Sequence, residues 1–106
     1  MSEGTKHDQG KEPISLISSK ALLELTRVLE FGQKKYGRDN WRQGFKWSRC
    51  FDATMRHLLA YNDGQRVDSE SGRSHLGHAM ANIMFLIEME QSQTGEDDLW
   101  KGYKKE

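Results

Sequence analysis

Apolar residues return at helical spacing in three stretches of the chain, separated by segments rich in polar residues and glycine. Leu22, Leu25, Val28, Leu29 and Tyr36 make one face of a helix predicted from Ser19 to Lys35. Ser18 or Ser19 is its candidate N-cap and Gly37 its stop. A second helix is expected after Trp47, capped by Ser48 and running to Asn62, where Asp63-Gly64 supplies turn chemistry. Phe51, Met55, Leu58, Leu59 and Tyr61 are read as its core-facing residues. The third helix spans about Gly72 to Gln91. Leu76, Met80, Ile83 and Ile87 form one apolar side, Phe85, Leu86 and Met89 fill another sector, and only Arg73, Gly77 and Glu88 suit water. So apolar a helix belongs at the centre of its bundle.

The pattern predicts an all-α fold, a small bundle of three to four helices. Apolar surface left over on helices one and three predicts completion by oligomerisation, as a dimer or tetramer. Residues 1–12 read as a flexible arm, 13–91 as the helical domain and 92–106 as a polar tail. Within that tail Leu99, Trp100 and Tyr103 suggest docking.

Composition narrows the function classes. The 106 residues make one domain, with 35% hydrophobic and 30% charged residues. A formal net charge of zero argues against a nucleic-acid polymer or an anionic membrane as partner. The one cysteine, Cys50, excludes an internal disulfide and a cysteine zinc site. No apolar run approaches the roughly 18 residues that span a bilayer, and the polar N-terminus does not read as a signal peptide. A cytoplasmic place is expected.

The chemistry gathers around helix three. His75, His78 and Asn82 fall within about a 60° wedge of the helical wheel. Each buried polar group costs about 1–3 kcal/mol if unpaired, so this wedge needs partners. Two readings stand: hydrogen bonds among themselves and to neighbouring helices, or a ligand or metal. Asp63, Asp68 and Glu70 precede the wedge closely, and carboxylates with imidazoles suit Mg²⁺, Mn²⁺ or a similar cation. Asp68, Ser69 or Ser71 could instead cap the helix, with Glu70 favoured near its positive end. His57 joins the cluster if helices two and three pack antiparallel. Lys34, Lys35, Arg38 and Arg42 lie beside Trp41 and Trp47, either complementing a helix C-terminus or meeting phosphates next to a stacking platform. No Walker loop is present, so side chains and a cation would hold any phosphate.

Three segments resemble a known family. The run Phe31-Gly32-Gln33-Lys34-Lys35-Tyr36-Gly37-Arg38-Asp39-Asn40-Trp41-Arg42-Gln43-Gly44 is similar to the core signature of small phage dATP/dGTP diphosphohydrolases. So are Arg56-His57-Leu58-Leu59-Ala60 and Asp68-Ser69-Glu70-Ser71-Gly72, the latter followed by His75-Leu76-Gly77-His78-Ala79. The resemblance implies a phage or bacterial protein of the host cytoplasm, related in function to MazG-like all-α nucleotide pyrophosphohydrolases. Those are oligomers that use Mg²⁺ or Mn²⁺ to release a nucleoside monophosphate and pyrophosphate. Their paired Glu-x-x-Glu motif is absent from helix one, and His75-x-x-His78 stands where an acidic pair is found in them.

By this resemblance the substrate is a purine deoxynucleoside triphosphate. Asp68, Glu70, His75 and His78 are expected to hold the cation, with His57 as a further catalytic residue. Lys34, Lys35, Arg38 and Arg56 would meet the phosphates, Tyr36 or Trp41 would stack on the base, and Asn40 or Asn82 would read its edge. The competing expectation is a non-catalytic helical module that binds a nucleotide or a host protein. A single-strand nucleic-acid binder is a third, opposed by the zero net charge.

Overall fold

The computed structural model describes residues 3–102. Among them three helices carry the fold: α1 (Ser19–Tyr36), α2 (Trp47–Asn62) and α3 (His75–Ser92), with short 3-10 turns at Ile14–Leu16 and Asn40–Gln43. The all-α expectation holds. The helix α3 packs against both others, as its apolarity predicts. It runs antiparallel to α2: the Phe45 N–H, just before α2, meets Met89 Sδ near the end of α3, while His57 late in α2 meets His75 at the start of α3.

Ser18 caps α1 by accepting from the Ala21 N–H. The cap of α2 does not come from Ser48. Ser48 instead donates its N–H to Asp98 Oδ1 at 2.9 Å and its hydroxyl to Asp98 Oδ2 at 2.6 Å. A carboxylate from the far end of the chain thus serves the orphan donors of the first turn. The same segment pairs its backbone with Trp47 and Phe45 through Glu96. Gly95 makes this approach possible. A Cβ there would sit 2.4 Å from the Phe45 carbonyl and 2.7 Å from Met89 Sδ, and its φ of +70° suits glycine. Of the tail's apolar residues Leu99 is half-buried and Trp100 exposed, and Tyr103 lies outside the described residues.

Helix α3 starts at His75, three residues later than the pattern predicts, with Ser74 as its cap. Asp68, Ser69 and Ser71 are not caps. Residues 63–74 form a loop in which Asp68 accepts from the Ser71 N–H, an Asx-type turn that competes with helix.

The largest departure concerns which faces are buried. Phe51, Met55, Leu58 and Leu59 are exposed, and α2 turns Cys50 and Thr54 inward instead. On α3 the buried residues are His75, Gly77, Ala79, Ala81 and Met89, whereas Leu76, Ile83 and Ile87 are exposed. Gly77, expected at water, lies against α1: a Cβ there would be 3.0 Å from both Glu24 Cγ and Val28 Cγ2. Small residues on the contact faces let the backbones approach, and the bulky ones are displaced outward. On α1 only Val28 is fully buried, and Leu22 and Tyr36 are exposed.

Candidate functional site

His57 comes from the third turn of α2, His75 and His78 from the first turn of α3, and Asp68 from the loop between them. The antiparallel packing brings all four together. His57 Nδ1 and His75 Nδ1 are 2.8 Å apart, so one nitrogen carries the hydrogen and the other offers a lone pair. The His57 ring also stacks on His78 at 4.7 Å and 11°, and Phe31 of α1 meets His78 edge-on at 6.4 Å. The antiparallel arrangement expected to recruit His57 is therefore present.

Ser71 organises the other half of the cluster. Its hydroxyl is 2.8 Å from Asp68 Oδ2 and 2.6 Å from His78 Nε2, and it also accepts from the Arg73 N–H. A carboxylate cannot donate, so the one hydroxyl proton points at Asp68. His78 must then donate from Nε2, which leaves Nδ1 as its basic nitrogen. Burial raises the Asp68 pKa, but the hydrogen bonds from Ser71 outweigh it and hold the carboxyl below its ordinary value. Burial also pushes the His57 and His78 imidazoles below theirs, reinforced for His57 by the two neighbouring rings. Asp68 opposes the shift at His78 without reversing it. His57 and His78 are thus biased toward the neutral form and Asp68 toward the carboxylate.

His57, Asp68 and His75 each present one ligand atom, and these atoms lie within 4.8 Å of one another. Two imidazole nitrogens and one carboxylate oxygen fit a borderline cation such as Mn²⁺ better than Mg²⁺, which prefers oxygen throughout. This trio differs from the set expected from sequence. The Glu70 carboxylate is bonded to Lys35 Nζ across from α1, and His78 Nε2 is engaged by Ser71. The Glu70 partnership also holds the Lys35 ammonium above its ordinary pKa.

The cluster borders a cleft of about 1,080 Å³ between the C-terminal half of α1, the Gly37–Phe45 connection, α2 and α3. His57, Asp68, Glu70 and His78 line it, as do Lys35, Tyr36, Arg38, Asn40, Trp41, Arg56 and Asn82. His75 is buried behind the wall. Lys34 lines a separate cavity of about 320 Å³ with Arg27, Ser71 and Arg73. Trp41 is engaged within the chain: Phe85 stacks on its ring at 4.9 Å, and the Arg42 guanidinium lies 4.4 Å from its centroid. Tyr36 is exposed at the rim. Asn82 spends an amide hydrogen on the His78 carbonyl of its own helix.

A family model described as "dATP/dGTP diphosphohydrolase, N-terminal" matches residues 1–99. The chain belongs to this family. A relative from Salmonella phage PMBT28, named dATP/dGTP diphosphohydrolase, is 42% identical over 95 residues. The match covers 90% of this chain and 32% of the relative, so the chain spans about a third of that protein's length. No solved structure matches. Among the described residues no helix is long and apolar enough to cross a membrane.

Two members of the site escaped the sequence reading. Ser71 appeared only as a possible cap, although an Asp three residues before a Ser can accept from both its N–H and its hydroxyl. Glu24 gave no local signal. Its carboxylate accepts from Arg73 Nε at 3.0 Å, Arg73 Nη2 at 2.6 Å and the Ser74 N–H at 3.1 Å, clipping α1 to the start of α3. Those bonds, the Arg73 side chain foremost, hold Glu24 below the usual carboxylate range.

Proposed function

We propose that the chain is a metal-dependent pyrophosphohydrolase acting on purine deoxynucleoside triphosphates, dATP and dGTP, to give the monophosphate and pyrophosphate. The observation that carries this reading is the His57–Asp68–His75 trio beside a cleft that also presents Lys35, Arg38 and Arg56. Family membership and the name of the phage relative support the substrate class.

His57, Asp68 and His75 would hold Mn²⁺ or Mg²⁺. When bound, the cation supplies Lewis acidity to the phosphoryl oxygens and favours deprotonation of the attacking water. Lys35, Arg38 and Arg56 offset charge on the phosphates, and Tyr36, exposed at the rim with Lys35 Nζ 5.2 Å from its ring centroid, offers a ring for the base. Asn40 and Asn82 line the cleft and would read its edge. His78, neutral near pH 7 and protonated on Nε2, takes a proton at Nδ1. Water oxygen joins the α-phosphorus, and the bond to the α–β bridging oxygen breaks, so pyrophosphate leaves with that oxygen.

Incubating the protein with dGTP or dATP and Mn²⁺, and resolving nucleotides by ion-exchange chromatography, tests the reading. Equal amounts of deoxynucleoside monophosphate and pyrophosphate are expected. Absence of turnover with both nucleotides at micromolar protein would refute it. The absence of a Glu-x-x-Glu pair from α1 favours a second reading, a nucleotide-binding module without catalysis. That reading expects a nucleotide-dependent rise in melting temperature and no product.

A further inference from the structure

The cavity that holds Lys34 lies between α1 and the loop preceding α3. Arg27, Glu30, Phe31 and Lys34 reach it from one face of α1, being three to four residues apart, and Ser71 and Arg73 close it from the loop. Glu30 and Phe31 also line the cleft, so they form the partition between the two spaces. Its volume of about 320 Å³ is near the lower end of the ~300–1,000 Å³ of ligand sites, which suits a small ion rather than a whole nucleotide.

We infer that this cavity is a second anion site, separate from the cleft, which takes a small phosphate-class oxyanion such as free inorganic pyrophosphate. Three observations carry it. First, two of its cations are uncommitted. Among the described residues neither the Arg27 nor the Lys34 side chain makes an ion pair or a hydrogen bond, although Glu30 stands within a helical turn of both. Glu24 feels the Arg27 charge, but its oxygens are bonded to Arg73 and the Ser74 N–H. Second, Arg73 is held ready. Glu24 takes its Nε hydrogen at 3.0 Å and one Nη2 hydrogen at 2.6 Å, which fixes the guanidinium plane. Of the five N–H hydrogens of a guanidinium, about three are thus left for another acceptor. Third, an ammonium and two guanidiniums converge from two segments of chain, and the several oxygens of a phosphate-class anion match them better than the two of a carboxylate. Ser71 contributes wall rather than a donor, since its hydroxyl hydrogen goes to Asp68. Lys34, expected from sequence at the substrate's phosphates, is thereby assigned to a different anion. The inference goes beyond the nucleotide reading and does not rest on it.

Backbone amide shifts of ¹⁵N-labelled, metal-free protein, followed during titration with inorganic pyrophosphate at constant ionic strength, test it. Saturating shifts are expected at Lys34, Ser71 and Arg73. An Arg27→Gln/Lys34→Gln variant should weaken the affinity read from these amides at least about tenfold, two charge-assisted donors being lost. Arg38→Gln/Arg56→Gln, in the cleft, should leave it within about twofold. Shifts that never saturate, an unchanged affinity in the Arg27/Lys34 variant, or a tenfold loss in the cleft variant overturns the inference. A non-hydrolysable dATP analogue separates free pyrophosphate from the tail of a nucleotide. Pyrophosphate shifts that persist beside saturating analogue support a separate site, and shifts that vanish overturn it. Arg27 and Lys34 are exposed, so helical circular dichroism should be retained in the double variant. Should it be lost, Lys34→Gln alone takes its place, with a loss of at least about threefold expected and an unchanged affinity overturning the inference.

Discussion

Ser71 decides which nitrogen of His78 carries the proton. The two groups are 2.6 Å apart, and Ser71 has already given its hydroxyl hydrogen to Asp68. Replacing Ser71 with Ala removes that constraint while leaving α3 its own cap at Ser74. In the ring ¹⁵N spectrum His78 is expected as the Nε2–H tautomer in the parent protein and as a tautomer mixture in the variant. If turnover is present, it should fall roughly 10–100-fold, the usual effect of losing a partner that orients a functional group.

Glu70 and His57 separate the structural ligand set from the one suggested by sequence. Calorimetric titration with Mn²⁺ should show His57→Gln weakening binding at least about tenfold. Glu70→Gln should leave affinity nearly unchanged, because that carboxylate is bonded to Lys35. Equal losses in both variants would restore the sequence-derived set.

Acid should loosen the fold through the same rings. Burial depresses the folded-state pKa of His57 and His78 below the ordinary 6.5. The unfolded chain therefore binds protons first as pH falls. Stability is complete above pH 6.5, declines as pH drops through the folded values and then levels. Melting temperatures measured from about pH 7.5 to about pH 5 should trace this fall, and a His57→Gln/His78→Gln protein should give a flatter profile. Mn²⁺ should dissociate over the same range, since protons compete for the imidazole lone pairs.

Gly77 is where α1 and α3 come closest. Gly77→Val would drive methyl groups into Glu24 and Val28, both already 3.0 Å from a single added Cβ. A loss of about 1–3 kcal/mol in urea denaturation is expected from overpacking. Gly77→Ala should cost less, since a single methyl needs only small shifts of the Glu24 and Val28 side chains.

The sequence was most legible where interactions are local. Helical periodicity, the Ser18 cap and the Gly37 stop delimit α1 because each acts within a turn of its own position. His75, His78 and Asn82 declared a polar wedge for the same reason, and the antiparallel return of a short connection brought His57 within reach of it. The start of α3 was misplaced because Asp68 and Ser71 spend their polar atoms on each other rather than on a helix end.

Sequence by itself determined how many helices there are, what chemistry they display and which family they belong to. These follow from spacing and residue type along the chain. Tertiary structure alone decided which side of each helix is covered, that Asp98 serves the start of α2, and that Glu70 answers Lys35. An apolar stripe records that burial is favourable but not what buries it. Choosing among faces takes close approach at Gly77, Ala79 and Ala81, which depends on where the other helices lie.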